Sequence, residues 1–192
     1  MSPFAYLAHG RLVELARQYD RPLHYVPIEL GQAKRAAGNT GPSNREIPPK
    51  IAYLLTDMAR WAERYGIPIE MPGSLDSRLL NLGAFLAIDQ GSITRYATDV
   101  WARTWAVGTD LDSPEAAAVA AGCVGLSADA FRRAANAPAI VQRYEAAIGD
   151  AISAGVFGVP MVRIGDEMWW GNDRLDFVAE QLARDAGDAS GA

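Results

Sequence analysis

The residues best placed to do chemistry lie near the two ends of the chain. Val159–Pro160 follows Gly158 and opens an apolar run, so its peptide bond is a candidate cis bond. Trans is the commoner form of X–Pro bonds, and both forms stay open here. A cis bond would turn the backbone of Val159 outward, where a peptide-like ligand could pair with it. Ser2, before Pro3 and a helical pattern, is a candidate N-cap.

The cysteine and histidine content limits the remaining chemistry. One cysteine, Cys123, excludes an intrachain disulfide, a CxxC redox pair and a multi-thiolate metal site. Lying among alanines and glycines, Cys123 is typical of a small buried hydrophobic residue. His9 and His24 are on separate elements without an acidic or cysteine pattern, so no metal site is predicted. Any thiol chemistry must therefore use a thiol from outside the chain.

Composition narrows the class of protein. Of 192 residues, 18 are Lys or Arg and 23 are Asp or Glu, which gives a formal net charge of −5. The basic residues are spread singly, so nucleic-acid binding is disfavoured. The longest apolar run, residues 116–126, is too short to span a bilayer, and the start of the chain lacks a signal-peptide pattern. We therefore expect a soluble cytoplasmic protein without a membrane partner.

The elements that must position these residues form an α/β frame around a helical middle. Residues 48–155 read almost entirely as amphipathic helices separated by Gly, Pro and Ser signals, one of them predicted to begin at Ser74. Within this part, Tyr96, Trp101 and Trp105 are predicted core residues or, alternatively, the lining of an aromatic substrate pocket.

The two ends are mixed in pattern. Residues 3–19 read as a helix and 22–30 as a strand. Residues 161–164 and 167–170 form a predicted hairpin around Gly165 and Asp166, and Asn172 or Asp173 is predicted to cap a last helix that ends at Gly187. The predicted domains are the two parts of an α/β domain at 1–47 and 156–187, a helical insertion at 48–155 and a disordered tail at 188–192.

Several motifs, in order, resemble one known family. They are Ser-Pro-Phe-Ala-Tyr-Leu-Ala at 2–8, Gly-Asn at 38–39, Pro-Pro-Lys at 48–50, Phe-Gly-Val-Pro at 157–160 and Trp-Gly-Asn-Asp-Arg-Leu at 170–175. Together they resemble the 2-hydroxychromene-2-carboxylate isomerases, which are allied to kappa-class glutathione transferases and DsbA-like proteins. The resemblance implies a thioredoxin-like fold with a large all-helical insertion.

The resemblance also implies a binding site for glutathione or another low-molecular-weight thiol. Ser2 matches the serine expected to face the sulfur, where a helix N-terminus favours a thiolate. Val159 and Pro160 match the cis-proline pair that binds the cysteinyl part. Asn172 and Asp173 match the pair that receives the γ-glutamyl end, since a carboxylate can hold its ammonium group. On its own, Ser2 is better explained as a plain N-cap, and the resemblance reverses that preference. Asn172 and Asp173 also fit an ordinary helix start, and both interpretations can hold.

Two further positions match residues that reach the active site in this family. Lys50 could bind the glycyl or the substrate carboxylate, and Asn39 lies close to it in the sequence. A solvated lysine and a turn asparagine are the alternative interpretations. The spacing between Asn39 and Lys50 is longer than the family pattern, so Lys50 is the better-supported of the two.

One part of the family pattern is missing. Family members have a strand before Ser-Pro-Phe, whereas this sequence begins at Met1. Because that strand would be central in the sheet, its loss would leave backbone groups of its neighbours unpaired. A start codon chosen too late, a strand supplied by a partner chain and a degenerate protein are three explanations, of which the first is favoured here.

The resemblance implies a glutathione-dependent cis–trans isomerase of aromatic catabolism, acting on chromene-carboxylate or aromatic 2-oxo-acid substrates. A kappa-like glutathione transferase acting on electrophiles is the alternative enzyme, and a non-catalytic thiol-binding or dimerisation module is the alternative of another class. A homodimer is compatible with each. A DsbA-like oxidoreductase is disfavoured because no second cysteine accompanies Cys123.

Overall fold

The computed structural model describes residues 1–189 and divides them into two compact units. The first, the helical unit, comprises Met1 and Tyr25–Phe157. The second, the α/β unit, comprises Ser2–His24 and the chain from Gly158 onward. The units therefore change at residues 24 and 157, whereas the sequence-based limits lie at 47 and 155. That finer domain division stays a prediction.

The helical unit contains seven α-helices and one π-helix among its described residues. Two of their starts follow from local sequence: the Ser113 hydroxyl accepts from the Ala116 amide at 3.1 Å, and the Ser127 hydroxyl caps the next helix in the same way. The bounds are α2 Leu30–Ala36, α3 Pro48–Tyr65, α4 Arg78–Asp89, α5 Ile93–Trp101, the π-helix Ala102–Ala106, α6 Pro114–Cys123, α7 Ala128–Ala135 and α8 Pro138–Ser153.

Helix α4 forms the centre of the helical unit and contacts α5, α6, α7 and α8. It lies so close to its neighbours that a Cβ at Gly83 would collide with the Phe131 ring and lie 2.7 Å from the Tyr96 hydroxyl. The buried Asn81 side chain donates to the Tyr144 hydroxyl at 3.1 Å and to the Ile28 carbonyl at 3.2 Å. The core around α4 is thus apolar packing that includes a buried amide whose nitrogen is hydrogen-bonded.

The α/β unit contains α1 Pro3–Gln18, β1 Met161–Ile164, β2 Glu167–Trp170, a 3-10 helix Asn172–Arg174 and α9 Leu175–Ala189. The strands form an antiparallel hairpin in which Met161 pairs with Trp170. Gly165 adopts φ 58 in the two-residue turn, a conformation that favours glycine. The predicted hairpin is confirmed. The core joins α1 to α9 through Ala8, Leu15, Leu175, Val178 and Leu182.

Four predictions about local structure are wrong. Residues 22–29 form no strand, because nothing in the described part of the chain pairs with them in a ladder. Helix α4 begins at Arg78 rather than at Ser74, whose amide instead donates to Asp110 Oδ1 at 2.8 Å. Helix α9 continues beyond Gly187 to Ala189, so residues 188 and 189 are helical. The rest of the predicted tail lies outside the described residues. The fourth concerns the cap of the last helix.

Candidate functional site

Asn172 and Asp173 are not the capping residues that the sequence predicted. Both lie inside the 3-10 helix, whose N-cap position is Gly171 at φ 105. A Cβ at this position would collide with Asp173 Oδ1, so glycine both permits the turn and leaves room for the carboxylate. Asn172 is buried at 4 % exposure, whereas the Asp173 side chain is 45 % exposed. Asp173 is therefore the one of the two that solvent or a ligand reaches.

Ser2 is the N-cap residue of α1, the 16-residue helix that opens the α/β unit. Its carbonyl oxygen accepts from the amides of Ala5 and Tyr6, each at 3.1 Å. Within the described structure its side chain makes no capping hydrogen bond, and the first turn holds no acidic residue. Ser2 is only 6 % exposed. A buried hydroxyl at a helix N-terminus can donate to an anion that the helix dipole also favours.

The Val159–Pro160 peptide bond is cis, the first of the two forms that the sequence leaves open. The Pro160 carbonyl oxygen accepts from the Gly171 amide at 3.0 Å. This bond extends the hairpin by one step beyond its last pair, Met161 with Trp170. It therefore ties residues 158–160, the cis-proline loop, to the turn that carries Asn172 and Asp173.

Trp170 covers the start of the cis-proline loop. Its indole lies so close to Gly158 that a Cβ there would be 2.9 Å from Trp170 Cε2 and would collide with Nε1. The ring is 47 % exposed, so it presents an aromatic surface beside the loop as well as packing against it. The sequence analysis missed this role, for which the only signal is a glycine two residues before the proline.

Arg174 is a second site residue that sequence analysis missed. Its Nη1 lies 2.7 Å from Asp173 Oδ1 and also donates to the Trp170 carbonyl oxygen at 2.8 Å. Through these two bonds, the arginine joins the end of β2 to the carboxylate of Asp173. An Asp-Arg pair after a glycine is the signal, but the sequence alone predicts neither bond.

The α/β unit contains five of the predicted site residues. Within it, α1 contacts both the 3-10 helix and α9, and the hairpin joins the cis-proline loop to the same turn. The five are Ser2, Val159, Pro160, Asn172 and Asp173. They supply a buried hydroxyl, a helix N-terminus, backbone groups and a carboxylate, a set that fits a zwitterionic thiol peptide.

Asn39 and Lys50 belong to the helical unit, and both are exposed. Asn39 follows α2, and its backbone amide donates to the Lys34 carbonyl at 2.9 Å. Lys50 lies in the first turn of α3, and its amide donates to the Ile47 carbonyl at 2.9 Å. Both side chains are accessible, and their roles at the site stay predictions.

The remaining candidates are ordinary core groups. Tyr96 and Trp105 are 1 % and 0 % exposed, and Tyr96 donates to the Leu80 carbonyl at 2.8 Å, so they are core residues and not a pocket lining. Burial and the nearby Asp99 carboxylate raise the pKa of the Cys123 thiol to about 11. That thiol is therefore protonated and weakly nucleophilic near neutral pH.

Within residues 1–189, no three His, Cys, Asp or Glu side chains gather closely enough to hold a metal ion. His9 is buried on α1, and desolvation lowers its pKa from 6.5 to about 4. No helix of the described chain combines the length and the apolar character needed to cross a bilayer.

Comparisons with known proteins agree with this architecture. Residues 1–183 match the family model of the DSBA-like thioredoxin domain. A protein named 2-hydroxychromene-2-carboxylate isomerase from Pseudomonas putida is 38% identical over 184 residues, covering 96% of this chain and 91% of its own length. One of the same name from Sphingobium xenophagum is 40% identical over 182 residues, covering 95% and 93%.

A solved structure of 2-hydroxychromene-2-carboxylate isomerase superposes with a TM-score of 0.92 at 37% identity, covering 98% of this chain and 93% of that one. Glutathione s-transferase kappa 2 of Caenorhabditis elegans is less similar, 23% identical over 199 residues and covering 95% and 88%. The fold is therefore thioredoxin-like with a large helical insertion. The chain belongs to the 2-hydroxychromene-2-carboxylate isomerase family within the DSBA-like thioredoxin proteins, and it is an isomerase.

Proposed function

We propose that this isomerase converts 2-hydroxychromene-2-carboxylate-like aromatic compounds between their cis and trans forms with glutathione, or another low-molecular-weight thiol, as its cofactor. The observation that carries the proposal is that Ser2, Val159 and Asp173 belong to one compact unit in which α1 contacts the 3-10 helix. The identity of 38% and 40% to two proteins named for this reaction supports the substrate class.

When bound, glutathione would supply a nucleophilic thiolate for the conjugated 2-oxo-acid system and would not be consumed. The start of α1 stabilises the ionised form of this thiol. The Ser2 hydroxyl donates a hydrogen bond to the sulfur, and the N-terminus of α1 adds its positive dipole, so both lower the pKa of the thiol. A lower thiol pKa increases the fraction of nucleophile present near neutral pH.

The rest of the thiol is held by backbone and charge. The backbone of Val159, before the cis bond, pairs with the cysteinyl part, and the exposed Asp173 carboxylate binds the ammonium group of the γ-glutamyl end. Asn172, buried in the same turn, is the second residue that receives the γ-glutamyl end. The exposed Lys50 binds the glycyl or the substrate carboxylate, and Asn39 is the less well supported second position. Holding the reactants in one orientation removes much of the entropic barrier to their reaction.

The experiment is an ultraviolet assay of the equilibration between a 2-hydroxychromene-2-carboxylate and its hydroxybenzylidenepyruvate isomer, with and without glutathione. We expect turnover only with the thiol, and the thiol concentration, titrated with a disulfide reagent, should be unchanged at equilibrium. Turnover independent of any thiol would contradict the proposal.

A kappa-like glutathione transferase is the second candidate, favoured by the similarity to glutathione s-transferase kappa 2. The two activities differ in stoichiometry, because a transferase consumes one thiol for each electrophile and an isomerase returns it. Thiol loss with a model aryl halide, matched by conjugate formation, would support the transferase. A cytoplasmic location and a homodimer stay predictions.

A further inference from the structure

The Arg174 side chain joins the two sides of the turn that follows β2. One nitrogen, Nη1, donates to the Trp170 carbonyl oxygen at 2.8 Å and to Asp173 Oδ1 at 2.7 Å. The carbonyl belongs to the last residue of β2, and the carboxylate belongs to the 3-10 helix. A single donor therefore fixes the distance between the end of the sheet and the carboxylate of Asp173.

The Asp173 side chain, among the described residues, accepts its one side-chain hydrogen bond from Arg174, and its carboxylate also lies against Gly171. It is 45 % exposed and follows Gly171, whose φ of 105 places it in a backbone region that glycine alone adopts readily. An exposed carboxylate samples several rotamers, and ordering it costs conformational entropy whenever a ligand binds. If Arg174 orders the carboxylate beforehand, the ligand no longer bears that cost.

We propose that Arg174 is a positioning residue of the thiol site, which holds the Asp173 carboxylate in the orientation that receives the ligand's ammonium group. The inference rests on the proposed function, because the ammonium-binding role of Asp173 belongs to it. Arg174 bonds Oδ1, so Oδ2 can face the ligand. The Trp170 carbonyl bond holds the same guanidinium against the strand that leads to the cis-proline loop.

If Arg174 only neutralised the charge of Asp173, its effect on ligand binding would be the opposite. An arginine that only competed for Asp173 would weaken ammonium binding, and its removal would tighten the complex with glutathione. Ordering and competition therefore predict changes of opposite sign in the dissociation constant, and one titration distinguishes them.

The test is calorimetric titration of glutathione into the full chain and into Arg174→Ala, Arg174→Lys and Arg184→Ala. Arg184 is the matched control, an arginine of α9 that bonds Gln181. We expect Arg174→Ala to bind about five- to tenfold more weakly, because the ligand must then bear the cost of ordering the Asp173 side chain. Arg174→Lys should recover part of the loss, and Arg184→Ala should bind as wild type. In Arg174→Ala, the glutathione concentration that gives half the maximal rate should rise, whereas Arg184→Ala should keep the wild-type kcat and the wild-type glutathione dependence. Equal or tighter binding by Arg174→Ala would overturn the proposal.

A double variant tests whether Arg174 acts through its neighbour. In an Asp173→Asn background, Arg174→Ala should weaken glutathione binding no further, because the group that it positions has lost its charge. An additional loss equal to that of the single variant would mean that Arg174 acts independently, which contradicts a positioning role.

A measurement without ligand separates this inference from the proposed function. Hydrogen exchange of the Gly171 amide, which bonds the Pro160 carbonyl, reports whether the turn is held. We expect faster exchange in Arg174→Ala and near wild-type exchange in Arg174→Lys. If wild-type protein fails to bind glutathione, the proposed function fails, while unchanged exchange in Arg174→Ala overturns the positioning role itself.

Discussion

The Gly171 amide donates to the Pro160 carbonyl oxygen across 3.0 Å, one step beyond the last paired residues of the hairpin. This bond joins the residue after the cis peptide to the turn that carries Asp173. The backbone expected to pair with a cysteinyl group and the carboxylate expected to bind an ammonium group are thus parts of one hydrogen-bonded structure. Their separation is set by strand pairing, which is more precise than the position of a free loop.

Gly158→Ala should disturb this structure through Trp170, because a Cβ at residue 158 has no space beside the indole. Overpacking of this kind costs about 1–3 kcal/mol of the free energy of unfolding, which urea denaturation measures. Gly149→Ala is the control: it lies in α8 with no atom near its Cβ position, and alanine there should stabilise the helix by up to about 1 kcal/mol. Equal effects of the two substitutions would contradict the close contact.

Asp173→Asn should weaken glutathione binding by about tenfold, since it removes one charge-assisted hydrogen bond while keeping the shape of the side chain. Titration calorimetry measures the change. Asp176→Asn removes the same charge three residues later, in the first turn of α9, and should bind as wild type. A glutathione analogue without the α-amino group should bind wild type and Asp173→Asn equally. If the analogue distinguished them, Asp173 would not be the ammonium site.

Ser2→Ala should lower kcat/KM for the isomerisation about five- to tenfold, because the sulfur loses the hydrogen bond of a hydroxyl that favours its ionised form. The pKa of the bound thiol should rise, so its ultraviolet thiolate absorbance should appear at higher pH. Ser2→Thr keeps the hydroxyl and should retain most of both properties. Identical thiolate titrations in wild type and Ser2→Ala would exclude the proposed role.

Local signals predicted local structure well. The Gly165 and Asp166 turn, the serine caps of α6 and α7, and the long helices of the middle all follow from neighbouring residues. Where the sequence failed, distant contacts decided: Ser74 does not begin a helix because its amide is bound by Asp110, 36 residues away. The segment 22–29 has a strand-like pattern, but a strand also needs a partner that its own residues cannot specify.

The site residues also fall into two groups: those that a local sequence pattern predicts, and those whose role depends on contacts in the folded chain. Ser2 and the Val159–Pro160 pair stand out because proline and a helix start have recognisable sequence patterns. The importance of Arg174 depends on which carbonyl and which carboxylate its side chain reaches, and the same two residues in another turn would form an ordinary exposed ion pair.

His9 should make folding stability depend on pH in a defined direction. Desolvation on α1 lowers its pKa from 6.5 to about 4, so between these values the unfolded chain binds a proton that the folded chain does not. Stability is then complete above pH 6.5 and falls as the pH drops toward 4, by up to ~3 kcal/mol if the full shift is expressed. Urea unfolding of His9→Gln across this window should show a shallower loss than wild type, because the variant has no imidazole to protonate. His24→Gln, which changes an exposed histidine, is the matched control. A His9→Gln curve parallel to that of wild type would mean that the buried imidazole does not control the acid lability of the α/β unit.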